Sequence, residues 1–167
     1  MVLRQERTGV DKRFFELCSK VVEAEGLHVY DMDYLHGSHE LRLFVINPET
    51  NTAVIDDCMK IDRALTPFIE EEEWMPAELT LEVSSPGVYR NLTTLEHFEN
   101  VVGQRVQLHL KQKLDEAELE GLPRKLKGQK KLIFLLTKVN EDSIDVELEN
   151  ISLNIKYDEI KKANLED

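Results

Sequence analysis

Apolar residues Val10, Phe14, Leu17, Cys18 and Val21 recur at helical spacing and stop short of Gly26. The pattern predicts one amphipathic helix with a single buried stripe. Two β-rich runs follow, HVYDMDYL at 28–35 and ELRLFVI at 40–46, separated by H-G-S-H. They predict a hairpin in which Gly37 takes the positive φ of a tight turn. A second helix opens near Asp56 and Asp57, whose carboxylates suit the free amides of a first turn. Its buried stripe is Cys58, Ile61, Leu65, Phe68 and Ile69. Pro67 falls inside it, so either the helix kinks there or Thr66 caps a fresh turn; the kink is the preferred reading. Leu79, Leu81 and Val83 then alternate as in a half-buried strand. The first module therefore reads α-β-β-α-β, with two helices covering one face of a three-stranded sheet.

Beyond S-S-P-G at 84–87 the pattern changes. Thr94 caps a short helix through Glu96, His97 and Phe98 to Val101, ended by Gly103. Short alternating segments follow: RVQLHL, KLIFLLTKV, SIDVEL after the turn signal N-E-D, and ISLNIKY before DEIKKANL. Such a series, with almost no helix, predicts a small β-barrel. The expected fold class is α+β in two domains, an α/β domain over 1–91 and a β-barrel domain over 92–167.

Charge narrows the choice of partners. The chain holds 21 Lys and Arg against 33 Asp and Glu, a formal charge of −12. Residues 1–91 carry 9 basic and 18 acidic side chains, and 92–167 carry 12 and 15. An acidic first half repels phosphate backbones and suits a basic protein partner. No run approaches the roughly 18 apolar residues of a membrane span, and the amino terminus lacks the apolar core of a signal peptide, so a cytoplasmic protein is expected. Cys18 and Cys58 lie far apart without companion ligands and read as small hydrophobes on helix faces. His36 and His39 beside Asp31 and Asp33 suggest a metal cluster, but a hairpin turn and solvent-facing strand carboxylates explain them better; neither metal nor cofactor is expected.

The stretch LEVSSPG raises the question of chemistry. A serine nucleophile needs a base within reach and an oxyanion hole, and the G-x-S-x-G elbow that supplies them is absent. A phosphate cradle needs more glycines and a Lys-Ser/Thr pair at a helix start. Pro86-Gly87 is better read as a sharp corner in which serine hydroxyls cap backbone groups and set the angle between domains. No enzymatic activity is expected.

LEVSSPG (81–87), IDDC (55–58) followed by RAL (63–65), and the closing EIKKANL (159–165) together resemble the RimP family of bacterial ribosome maturation factors. Their order and spacing agree over nearly the whole chain. The resemblance implies an Sm-like or SH3-like carboxy-terminal barrel and a non-enzymatic role in maturing the small ribosomal subunit. The implied partners are the free small subunit, a basic small-subunit protein and adjacent rRNA. A corner first, the exposed S-S-P-G turn with Arg90 beside it also offers a surface contact, and the candidate partner-binding residues are Ser84, Ser85, Pro86, Gly87, Arg90, Asp56 and Asp57. The family continues S-S-P-G with Asp-Arg-Pro-Leu after one small or apolar residue, whereas here Tyr89-Arg90-Asn91-Leu92 follows Val88, so a contact through that carboxylate does not carry over. The connection after RVQLHL ends in Arg124, Lys125, Lys127, Lys130 and Lys131, the densest basic stretch and the candidate rRNA contact. Glu70 to Glu73 reads as a solvated helix end with a docking role for a basic partner as the alternative. A stand-alone Sm-like RNA-binding module is the alternative function, set against the net charge.

Overall fold

The computed structural model describes residues 2–88, 90–114, 126 and 128–166. It is mixed α+β and divides into two compact units, Glu6–Gly87, and Val88–Asp167 with Met1–Gln5.

The amino-terminal unit runs α1 (Gly9–Ala24), β1 (His28–Leu35), β2 (Glu40–Ile46), α2 (Ile55–Glu71) and β3 (Thr80–Ser84). β2 lies between the other two strands, antiparallel to β1 and parallel to β3. Parallel neighbours need a long crossover, which α2 supplies. Leu41, Leu43 and Val45 alternate along β2 and so share one face. They pack with Phe14, Cys18, Val21 and Val22 of α1 and with Ile61 and Leu65 of α2, so both helices cover that face.

Local differences from the sequence reading have clear causes. Gly37 does not take a positive φ; His39, the last residue before β2, does, at 51°. The last strand pair is Leu35 with Glu40, which leaves a four-residue loop whose left-handed step falls at its end. The Tyr34 hydroxyl and His39 Nδ1, 3.1 Å apart, fasten that step. Val10 and Phe68, both placed on buried stripes, are 38% exposed; Val10 sits in the first turn of α1 and Phe68 in the last turn of α2. α2 continues through Pro67, so no fresh helix starts at Thr66. Instead the Thr66 hydroxyl donates to the Asp62 carbonyl at 2.7 Å on the exposed side, where water can serve the Arg63 carbonyl that proline leaves without an amide.

The carboxy-terminal unit has α3 (Leu95–Glu99), β4 (Arg105–Leu110), β5 (Lys131–Val139), β6 (Ser143–Leu148), β7 (Ile151–Lys156), a 3-10 turn (Tyr157–Glu159) and β8 (Ile160–Leu165). Thr94 caps α3, its hydroxyl accepting the His97 N–H at 3.1 Å. The strands order as β7-β6-β5-β4-β8, every pair antiparallel. Among the described residues no pairing joins β7 to β8, so the sheet has two ends and does not close into the small β-barrel expected from the sequence. One apolar cluster, including Phe98, Val106, Leu108, Phe134, Val146 and Tyr157, forms the core of the unit.

Two stretches join this unit that strand periodicity does not reveal. Val2 is buried in its core, Val2 N–H donates to the Tyr157 carbonyl at 3.3 Å and Arg4 N–H to the Thr93 carbonyl at 2.8 Å. Residues 90–92 run beside β8, with Leu92 N–H donating to Ala163 and Leu165 N–H to Arg90, both at 2.9 Å. The division of contacts therefore falls after Gly87, short of the expected 91/92, and residues 1–5 group with the later part of the chain.

Candidate functional site

Two of the sequence motifs converge although more than a full helix separates them along the chain. At the start of α2, Asp57 Oδ2 accepts the Val54 N–H at 3.1 Å, holding the first turn closed. Asp56 and Asp57 both lie where the helix dipole favours negative charge. Opposite them β3 ends, with Ser84 paired to Phe44 of β2. The Ser85 hydroxyl oxygen then accepts the Gly87 N–H at 3.1 Å, and Gly87 takes φ of 81°. Parallel pairing through the crossover brings these two ends to the same edge of the sheet.

Between them lies an open groove of about 480 Å³, lined on the helix side by Val54, Ile55, Met59, Asp62 and Arg63 and on the strand side by Ser84 and Ser85. Ile55 is 78% exposed and Val54 60%. The sequence reading singled out Asp56 and Asp57, which follow Ile55 but do not line the groove, and missed the apolar residues that do. The available signal was the pair Ile55 and Met59, four apart and off the buried stripe of Ile61 and Leu65. Cys58 also lines the groove, its thiol raised above its ordinary value by burial first and by the Asp57 charge second. Among the described lining residues there is no histidine to act as base for either serine.

A second groove of about 560 Å³ runs along the far half of α2, where Asp62, Glu70, Glu72 and Glu78 surround Ile69, Met75 and Leu79. No basic residue sits in the last turn of α2, so these glutamates lie against the negative end of its dipole.

The remaining candidates are placed elsewhere. Arg90 is 7% exposed and belongs to the carboxy-terminal unit, where its carbonyl holds the end of β8. Arg124, Lys125 and Lys127 lie outside the described residues. Lys130 and Lys131 are exposed at the start of β5. Asp31, read as solvent-facing, is only 13% exposed and pairs with Arg7 at 3.2 Å, while Arg7 also donates to the Met32 carbonyl at 2.8 Å. His36 Nε2 lies 3.2 Å from Asp11. Among the described residues no group of three His, Cys, Asp or Glu is arranged to hold a metal ion.

Residues 17–89 match the family model described as the RimP N-terminal domain. The chain carries a RimP N-terminal domain. The match takes in α2, its opening I-D-D-C, all three strands of the sheet and the S-S-P-G turn, so the groove lies wholly within the matched segment. The unit bearing this RimP domain also holds nearly all the excess charge. Glu6–Gly87 has 7 Lys and Arg against 18 Asp and Glu, net −11, and the other unit has 14 against 15, net −1. No described helix is long and apolar enough to cross a membrane.

Proposed function

We propose that this protein is a non-enzymatic assembly factor that binds the free or immature small ribosomal subunit in the cytoplasm and promotes its maturation. The RimP N-terminal domain match carries this reading, and the charge of that unit supports it. A surface of net −11 attracts a basic ribosomal protein and repels naked RNA. The groove between α2 and β3 offers apolar anchor positions at Val54, Ile55 and Met59 with Asp62 and Arg63 beside them, and Asp56 and Asp57 follow Ile55 in the first turn of α2, a setting that suits an apolar side chain carried by a basic partner.

The carboxy-terminal unit is read as a partly open Sm-like or SH3-like barrel. In support, β4 to β7 follow one another as neighbours and β8 returns to β4 around a single core. It adds a second contact, and two linked weak sites gain avidity through effective concentration without a large interface on either. Ser84 and Ser85 take no chemical part; the Ser85 hydroxyl is engaged in its own turn.

Co-sedimentation tests the proposal. The protein is expected to travel with free small subunits and to be scarce on complete ribosomes. Failure to associate with free small subunits at modest ionic strength rules the proposal out.

A further inference from the structure

The carboxy-terminal unit is close to neutral, yet its cations are sorted. Register places His109 of β4 directly opposite Lys131 of β5 on one side and Lys162 of β8 on the other. Directly paired residues of an antiparallel ladder project to the same face, so the three side chains form one row across three strands. Lys131 and Lys162 are exposed and His109 is half-buried. Lys161 is exposed at the register shift beside Lys162, and Lys130, whose carbonyl accepts the Leu110 N–H at 2.7 Å, precedes Lys131. Among the described residues, none of these four lysines forms an ion pair.

Carboxylates on the same sheet stand apart from this row. Asp145 and Glu147 lie on β6, paired with Lys138 and Leu135, and Asp145 is engaged by the amides of Asn140 and Asn154. Lys131 and Lys162 flank His109 from the two neighbouring strands, so an anion laid across the row meets a cation on each side. The next row on the same face is Ile133, Gln107 and Asn164, with Ile133 41% exposed. Cations for phosphates thus adjoin an apolar position and side-chain amides, the pairing of chemistries that suits an unstacked nucleotide better than an acidic peptide.

We infer that this face of β8, β4 and β5 contacts the phosphate backbone of single-stranded RNA, with Lys131 and Lys162 on phosphates and Ile133 and Gln107 against a base. The inference extends the assembly-factor reading by naming a surface for its RNA contact, and rests on that reading for which RNA is met. It adds Lys162 and His109, distant in sequence, to the basic stretch that ends at Lys131.

The test uses the full chain and a short fluorescent single-stranded RNA of mixed sequence, titrated over a range of salt. Lys131→Gln with Lys162→Gln is expected to weaken binding and to lower the slope of log affinity against log salt by about 1.4, at about 0.7 per phosphate contact. Ile133→Ser is expected to weaken binding while leaving the slope unchanged. An unaltered slope in the double variant overturns the inference. So does no measurable RNA binding by the unmodified chain at low salt, or equal competition by a polyglutamate peptide. Subunit co-sedimentation run in parallel separates the two proposals: a chain that ignores small subunits yet shows the salt-slope change loses the assembly role and keeps the RNA surface.

Discussion

The hydroxyl oxygen of Ser85 accepts the backbone N–H of Gly87 at 3.1 Å, closing a turn in which Gly87 holds φ of 81°. Both residues therefore act first on backbone geometry. Ser85→Ala is expected to cost about 1 kcal/mol through the lost hydrogen bond. Gly87→Ala is expected to cost about 1–2 kcal/mol, wholly from the left-handed backbone, since no atom lies within 4 Å of the added Cβ. Urea unfolding measures both. A Ser85→Ala protein of unchanged stability that no longer binds subunits speaks for direct contact by the hydroxyl instead.

Ile55, at 78% exposure, is the most exposed apolar residue lining the groove and contributes little to folding. Ile55→Asp is expected to shift stability by no more than about 0.5 kcal/mol. It is expected to weaken subunit binding roughly tenfold or more, since burying a large aliphatic side chain is worth about 1.5–3 kcal/mol. Quantitative co-sedimentation against a thermal melt separates the two effects; unchanged binding removes the groove from the interface.

Alkaline pH should loosen the protein in two stages. Burial pushes the Cys18 thiol from 9.0 up to about 12, against a smaller opposing pull from Arg7. Burial, then the charges of Glu99 and Asp142, push the Tyr157 hydroxyl from 10.0 up to about 12. For both groups the folded state holds its proton after the unfolded chain has lost it. Their stabilising contribution is complete below the unfolded values and declines as pH rises toward 12. The urea midpoint is expected to fall from about pH 9 upward. Cys18→Ala is expected to make the fall shallower between about pH 9 and pH 10, where the Cys58 thiol, also raised by burial, leaves a residual slope before tyrosine ionises in the unfolded chain.

Deleting residues 1–5 is expected to destabilise the unit built from the far end of the chain. The deletion exposes the space left by Val2 and removes the hydrogen bonds donated by the Val2 and Arg4 N–H groups to the Tyr157 and Thr93 carbonyls, together worth about 2.5–6 kcal/mol. Hydrogen exchange by mass spectrometry checks this: peptides spanning 157–165 should exchange faster while those of β2 do not change.

The elements themselves were largely legible in the chain. Val106, Leu108 and Leu110 alternate in sequence and are all buried, and Ile61 and Leu65 mark the inner side of α2 as their spacing requires. Periodicity is least informative in terminal turns, and Val10 and Phe68, in the first turn of α1 and the last turn of α2, are exposed. It is also silent on extended segments without alternation, such as Val2 to Arg4 and residues 90–92, whose place depends on which strand they meet. The groove escaped the sequence reading for a related reason. Ile55 and Ser84 become neighbours only because β2 and β3 pair in parallel across α2, a choice of topology that local spacing does not encode. Burial of Arg90 and pairing of Asp31 with Arg7 are likewise outcomes of long-range packing.

Residues 90–92 give the carboxy-terminal sheet a property of its own. By engaging Ala163 and Leu165, they occupy outward amides and carbonyls at the end of β8. A second copy seeking to extend the sheet there meets a rim already in use, and a head-to-tail filament, which needs an unoccupied border at each end, cannot propagate through it. Edge-to-edge pairing at the end of β8 is thus opposed by three residues of the chain's own backbone.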